Sequence, residues 1–180
     1  MGNLRSVAKA LEAAGAEAAI TADPAAVGRH DALCVPGQGI FGRCSANLVA
    51  GHKDELIRTW ISDERPFLGI CLGLQVLFES SEESPEPGLG ILTGKATRLP
   101  STVTVPHIGW NQVTPGGEHY YFDHSFAVHP ADASIVTGWC EHGDRFAAQV
   151  ERGPILGVQF HPEKSGRAGI RLLEGWVTSS

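Results

Sequence analysis

The sequence predicts an α/β fold: an open, mostly parallel sheet flanked by helices, with antiparallel strands added in the second half. Three observations predict it. Strand-like apolar runs and amphipathic stretches alternate through the first half, the pattern of parallel strands covered by helices on both faces. Three apolar runs, ending near Val35, Ile70 and Phe160, pass directly into segments that carry reactive or Gly-rich chemistry. From Lys95 to Phe160, short strands broken by Gly and Pro replace the alternation.

The elements follow in order. Leu4, Val7, Ala8, Leu11 and Ala14 recur at helical spacing, with Asn3 as a starting cap and Gly15 as a stop. Glu17 to Thr21 reads as a short strand. Asp23-Pro24 opens a short helical turn, with Pro at the tolerated first position. Asp31 to Val35 is an apolar strand that runs into Pro36-Gly37-Gln38-Gly39, which reads as a loop. Leu56, Ile57, Trp60 and Ile61 form one face of a helix. Phe67 to Ile70 is a buried-type strand, followed by Cys71 and a helix through Phe78. The acidic, Pro-containing run Ser80 to Gly88 reads as a surface loop, and a helix from Ser165 to Val177 closes the chain. No strand precedes the first helix, whereas a parallel sheet of this kind opens with one of about 5–6 residues. The expectation is a native start upstream of Met1, or a gap in the sheet.

Bulk properties narrow the function. The chain has 180 residues, one domain spanning 1–180 rather than two. A hydrophobic fraction of 42% is enough for a sizeable core. The net charge of −6 offers no excess of Lys and Arg to displace counterions, so nucleic acid is not an expected partner. The longest apolar stretch, Pro66 to Phe78, has 13 residues and contains Gln75, short of the roughly 20 a membrane helix needs. The first residues given do not read as a basic, apolar leader, so secretion is not expected. Cys34, Cys44, Cys71 and Cys140 form no CxxC pair and are too sparse for a disulfide framework. A cytoplasmic location with reduced thiols is therefore expected.

The chemistry concentrates in three segments. Gly69-Ile70-Cys71-Leu72-Gly73 has the shape of a nucleophile elbow, set between an apolar strand and a helix. The flanking glycines let the backbone turn tightly, and the helix N-terminus favours a thiolate at Cys71. The Leu72 N–H is placed to bind an oxyanion. Standing alone, the same five residues describe a free cysteine at the end of a core strand, the commoner situation. The second segment is Val158 to Glu163, where His161 follows a strand end and Glu163 stands two residues on. Together with Cys71 they supply nucleophile, base and orienting carboxylate. Third, Gly37 and Gly39 allow a backbone N–H to approach a substrate closely. All three segments should meet at the carboxyl edge of one sheet, where open α/β sheets place ligands. Metal binding is a poor rival: His124 with His129, or His161 with Glu163, lacks a third ligand at a recognisable spacing.

At these residues the chain resembles the class I, triad-type glutamine amidotransferases, which have a flavodoxin-like fold. More narrowly it is similar to the glutaminase subunits of imidazole glycerol phosphate synthase. The segments that carry the resemblance are Gly2-Asn3-Leu4, Pro36 to Gly39, Gly69 to Gln75, Ser81-Glu82-Glu83, Pro106 to Asn111, His124-Ser125-Phe126 and Gly157 to Gly166. The resemblance implies that Cys71, His161 and Glu163 are catalytic, and that Gly37, Gly39, Leu72, Gln75, Ser125 and Phe126 surround bound glutamine. It implies no metal and no cofactor. It also implies a separate (β/α)₈ cyclase as heterodimeric partner, with Asn3, Trp110 and Lys164 near the interface. Ammonia would pass to that subunit and yield imidazole glycerol phosphate and the carboxamide nucleotide AICAR.

The chain departs from the family's pattern in three ways. The family has a strand and a short loop before Gly2-Asn3. Gln38 stands where the residue is usually small or apolar, and Asp123 stands where it is usually apolar, a costly substitution if buried unpaired. An amidotransferase of another pathway, a catalytically weak binding subunit and a peptidase with the same triad are the competing readings.

Overall fold

The computed structural model describes residues 4–179; the expected Asn3 cap lies outside them. The first half runs α1 (Leu4–Ala13), α2 (Pro24–Val27), β1 (Leu33–Gly37), α3 (Phe41–Ala50), α4 (Lys53–Ser62), β2 (Phe67–Cys71) and α5 (Leu72–Gln75). The second half runs β3 (Ser80–Ser81), β4 (Gly94–Arg98), β5 (His107–Val113), β6 (Glu118–His124), β7 (Phe126–Pro130), β8 (Val136–His142), β9 (Asp144–Arg152), β10 (Ile155–Val158) and α6 (Gly166–Thr178).

The main sheet has the order β1-β2-β10-β9-β8. Its first three strands are parallel, and β9 and β8 continue it antiparallel. The added strands also form a small sheet β3-β4-β7 and the hairpin β5-β6. Thr114 and Trp139 exchange backbone hydrogen bonds of 2.9 and 2.8 Å, tying that hairpin to β8. Helices cover both faces, as the alternation in the sequence implies. Val7, Leu11, Leu173 and Trp176 pack with Leu68, Ile70 and Val158 on one side. Phe41, Leu48, Ile57 and Trp60 pack with Phe67, Val150 and Ile155 on the other. Residues 68 and 70 share a face and 67 takes the opposite one, the period of two that a strand imposes.

Several local expectations are corrected, each for a physical reason. Glu17 to Thr21 forms no strand, and Ile20 is 54% exposed. Strand preference depends on a neighbour to pair with, and no described strand lies alongside this segment. Pro36 and Gly37 belong to β1 rather than to a loop, facing Ile70 and Cys71 in register. Among the described residues β1 is an edge strand, paired only with β2, and an edge tolerates a residue with no N–H to donate.

The helix after Cys71 is a single turn, Leu72–Gln75, instead of reaching Phe78. Beyond it Leu77 and Phe78 donate to Leu74 O and Gln75 O, i→i−3 bonds of tight turns instead of helical ones. The carbonyls of Val76, Leu77 and Phe78 accept from the Leu89–Leu92 segment, which holds them in that course. Helix α3 is not legible locally because its start has no capping side chain of its own. Glu83 supplies the cap from 42 residues away, its Oε2 accepting from Phe41 N at 2.7 Å. The Ser80–Gly88 run is accordingly no free loop: it contributes β3, caps α3 and accepts from Ser45 Oγ through Pro87 O at 2.5 Å.

The elbow glycines should be intolerant of any side chain. A Cβ on Gly73 would lie 1.8 Å from the Val35 carbonyl oxygen, so Gly73→Ala should cost about 3 kcal/mol or more. A Cβ on Gly175, exposed inside α6, would meet nothing within 4 Å. Gly175→Ala should instead stabilise by about 0.5–1 kcal/mol. Urea unfolding of the two variants checks the opposite signs.

Candidate active site

The turn that carries Cys71 is the first element of the site. Cys71 has φ 53° and ψ −108°, a conformation rare for a residue with a Cβ and typical of strained functional turns. The glycines around it make the turn possible. A Cβ on Gly69 would stand 2.8 Å from Gly73 O, and one on Gly37 would stand 2.6 Å from Leu72 Cβ. Gly37 is thus a spacer that lets β1 lie against the elbow. Gly39, with φ 113°, is the glycine that reaches the cavity.

His161 is brought to the same place by a loop held from several sides. Its N–H donates to Tyr121 O at 2.8 Å, and its carbonyl accepts from Ser165 Oγ at 2.6 Å. Ser165 Oγ in turn accepts from Tyr121 N at 2.9 Å. The imidazole Nδ1 lies 2.8 Å from Glu163 Oε1, with both side chains only 2% exposed. This leaves Nε2 for Cys71. Burial pushes the His161 pKa down, but hydrogen bonds with Cys71 and Glu163, reinforced by their charges, outweigh it and lift the value to about 9. The other Glu163 oxygen, Oε2, is buried with no hydrogen-bond partner among the described residues.

Cys71 and His161 line one cavity of about 350 Å³, within the range of small-molecule sites. Gly39, Leu72, Gln75, Ser125 and Phe126 line it too, together with Gln38, Glu83 and Asp123. A larger hollow of about 770 Å³ between α6 and the Pro66 and Pro154 turns contains no thiol and no imidazole. Size alone therefore does not mark the site; the convergent polar groups do.

The remaining thiols differ in kind. Burial, with Glu163 second, pushes Cys34 up to about 12, and burial pushes Cys140 to about 12 as well. Burial also raises Cys44. Such thiols stay protonated and unreactive. No group of three or more His, Cys, Asp or Glu among the described residues is arranged to hold a metal ion.

Two residues of this site are not marked by sequence reasoning. Gln159, fully buried, donates through Nε2 to Cys71 Sγ at 3.6 Å and accepts at Oε1 from Gln75 Nε2 at 3.1 Å. A polar amide inside an apolar strand end is its signal in the sequence. Glu83 stands out there only as part of a segment that carries the family resemblance. Asp123 is paired, with Lys164 Nζ at 3.3 Å from Oδ2, so the cost of an unpaired carboxylate does not arise. Trp110 is 57% exposed, and Asn3 lies outside the described residues.

An elbow cysteine, a histidine–glutamate pair and one shared cavity on a mixed α/β sheet define a class, and residues 4–177 match the family model described as glutamine amidotransferase class-I. A solved structure described as a glutamine amidotransferase shares the fold, with a TM-score of 0.80 at 21% identity, over 98% of this chain and 95% of the other. The imidazole glycerol phosphate synthase subunit HisH of Symbiobacterium thermophilum is 45% identical, over 98% of this chain and 89% of its own length. That of Aromatoleum aromaticum is 44% identical, over 99% of this chain and 94% of its own length. The chain belongs to the HisH family of class-I glutamine amidotransferases.

The charge on the histidine–glutamate pair has consequences for stability and titration. A histidine whose folded pKa is raised gives stability that is complete below the unfolded value of about 6.5. That contribution is lost as pH rises through about 9. In spectra of ¹⁵N-histidine-labelled protein, His161 should titrate near 9. Glu163→Gln, which removes the carboxylate charge, should move that midpoint down by about one unit or more. An unmoved midpoint would show that Glu163 does not hold the proton on the ring.

Proposed function

We propose that this chain, as one domain over residues 1–180, is the glutaminase subunit of imidazole glycerol phosphate synthase. It hydrolyses glutamine to glutamate and ammonia and passes the ammonia to a separate cyclase subunit. The observation that carries the reading is the convergence of Cys71 and His161 on one cavity, with Glu163 paired to the imidazole from behind.

With its pKa near 9, the His161 ring carries a proton at neutral pH and stands as an acid opposite the sulfur. Cys71 Sγ attacks the side-chain carbonyl carbon of glutamine, and the carbonyl π electrons move onto oxygen. The Leu72 N–H and a backbone N–H of the Gln38–Gly39 segment stabilise that oxyanion. On collapse of the adduct the C–N bond breaks, His161 protonates the leaving nitrogen, and ammonia departs from a glutamyl thioester. The neutral ring then takes a proton from water as the water oxygen attacks the thioester carbon. The C–S bond breaks, glutamate leaves, and sulfur and imidazolium are restored. Glu163 orients the ring and balances its charge throughout.

Gln75 gives both amide protons to the protein, to Phe126 O and Gln159 Oε1. What it offers a ligand is therefore its Oε1 acceptor, suited to an ammonium or amide N–H. Ser125, Phe126, Gly39 and Leu72 complete the glutamine pocket. Gly37 supports it from behind.

Ammonia released into bulk water is protonated and loses its nucleophilicity, so the reading includes a docked cyclase. Ile108 and Trp110, 59% and 57% exposed on the same face of β5, suit a desolvated contact. Lys164 would border it, and Asn3 joins the interface by the family resemblance alone. The reaction completed there would yield imidazole glycerol phosphate and AICAR. No described helix is long and apolar enough to cross a membrane, and the cytosol, with its reduced thiols, is the proposed setting.

Glutamine turnover should be measured with this chain alone and mixed with the separately purified cyclase of the same pathway. The mixture should hydrolyse glutamine and support glutamine-dependent synthesis. Cys71→Ala should lower turnover at least about 10³-fold while synthesis from added ammonium salts persists. No turnover in either sample would leave only a binding role. Turnover without any dependence on, or binding to, the cyclase would point to another pathway or to a peptidase.

A further inference from the structure

Three buried or half-buried histidines outside the triad, His107, His124 and His142, are neighbours; the first two form a unit, and His124 itself lines the cavity. His107 Nδ1 is 3.1 Å from His124 Nε2, and His124 Nδ1 is 3.0 Å from the Phe126 carbonyl oxygen. Both rings are 5% exposed. On the far side, His107 Nε2 is 3.2 Å from Asn111 Nδ2, which also donates to Glu141 O at 2.9 Å.

Only one arrangement of protons satisfies this row. A carbonyl oxygen can only accept, so His124 carries its hydrogen on Nδ1 and presents a lone pair at Nε2. His107 must then carry its hydrogen on Nδ1 and accept at Nε2. Asn111 is oriented to match, since its Oδ1 accepts from Gln112 N at 2.8 Å and leaves the amide N–H groups for His107 and Glu141. An added proton on either ring would set two N–H groups, or an N–H and an amide N–H, against each other.

The surroundings disfavour that proton as well. His107 stacks on His142 at 4.0 Å and on Phe122 at 4.8 Å, and His124 meets Phe146 edge-on at 5.1 Å. No carboxylate among the described residues hydrogen-bonds either ring. Burial, followed by His142, pushes His107 down to about 4. For His124 burial outweighs the bond to Phe126 O, and His107, His142 and His161 add to it, giving about 3.

Beyond the place of His124 in the cavity wall, the row reaches the site's hydrogen-bonded side chains through the Phe126 carbonyl. It accepts from His124 Nδ1 and, at 2.8 Å, from Gln75 Nε2. Gln75 continues to Gln159, and Gln159 to Cys71 Sγ. We propose that His107 and His124 are positioning residues for the glutaminase: a neutral imidazole tandem that fixes the Phe126 carbonyl and, through it, the Gln75 amide that faces the substrate. The proposal rests on the glutamine reading of the cavity. Neither ring performs chemistry; they set which way the Gln75 acceptor points and hold the Ser125–Phe126 wall.

The test uses this chain assembled with its cyclase. His124→Phe keeps the ring volume and removes the donor to Phe126 O. His124→Asn puts an amide nitrogen where Nδ1 stood and restores that donor. His107→Phe keeps the stack on His142 and Phe122 but deprives His124 Nε2 of its donor, while His107→Asn restores it. The expected result is a glutamine KM raised about tenfold or more in both Phe variants, a smaller fall in kcat, and recovery of KM in the Asn variants irrespective of melting temperature. Independently of activity, ¹⁵N spectra of the wild-type chain should show both rings neutral, with the proton on Nδ1, from about pH 8 to pH 5. KM unchanged in the Phe variants, equal loss in the Asn variants, or either ring titrating near its ordinary value of about 6.5 would overturn the proposal. Wild-type protein that fails to turn over glutamine, with both rings neutral on Nδ1, would sink the glutaminase reading and with it the positioning role, leaving a structural tandem only.

Discussion

The turn from β2 into α5 has to pass within contact distance of β1, and the geometry of the site depends on how that approach is made possible. Two glycines, Gly73 and Gly37, remove the side chains that would block it, and a third, Gly69, lets the turn fold on itself. Gly69 faces the Gly73 carbonyl, Gly73 faces the Val35 carbonyl, and Gly37 faces the Leu72 side chain. With the backbones this close, the residue between the glycines is driven to φ 53° and projects out of the turn. The strain is held by the fully buried strand on one side and Leu72 to Gln75 on the other. Cys71 therefore owes its position to packing behind it rather than to any bond it makes itself. The position of the sulfur is a consequence of steric economy where two neighbouring strands meet one turn.

The same burial produces opposite charge states at two histidines near one cavity. His161 and His124 are both almost fully buried, and burial alone would make both neutral. The difference is the partner. A carboxylate at 2.8 Å and the Cys71 sulfur keep a proton on His161. An imidazole at 3.1 Å and a carbonyl at 3.0 Å leave His124 no use for a second one. The two states are linked, because the charge on His161 further disfavours protonation of His124. Environments that drive two like groups apart in pKa assign them different roles.

How much of the fold and site is legible in the sequence depends on whether the cause is local. The elbow is readable because its glycines are required by a turn only five residues long. His161 and Glu163 are readable because a strand end, a proline and a carboxylate at two-residue spacing form a local unit. Helix α3 is not, since its cap, Glu83, is 42 residues distant. The length of α5 is hidden for a similar reason: the residues after it are tied to the distant Leu89–Leu92 segment. Pro36 reads as a loop because membership of an edge strand is a property of the sheet, not of the residue. Glu17 to Thr21 reads as a strand because its sequence carries no information about a neighbour to pair with. Gln159 is overshadowed by the histidine two residues on, although a fully buried amide needs partners and usually has a reason.

Strand β5 shows how one short segment can serve two surfaces. Its side chains alternate, so His107 and Val113 are buried and Asn111 is half-buried, while Ile108 and Trp110 are exposed. The inward set begins the hydrogen-bonded row that ends at Cys71, and the outward set is the apolar surface of the hairpin. A shift of one residue in the pairing with β6 would exchange the sets, placing Trp110 in the core and His107 in solvent. That register is held by His107 facing His124 across the hairpin and by the stack on Phe122. Because His124, which faces His107 across the hairpin, also lines the cavity, the orientation of the outer face and the arrangement of that wall are set by the same contacts.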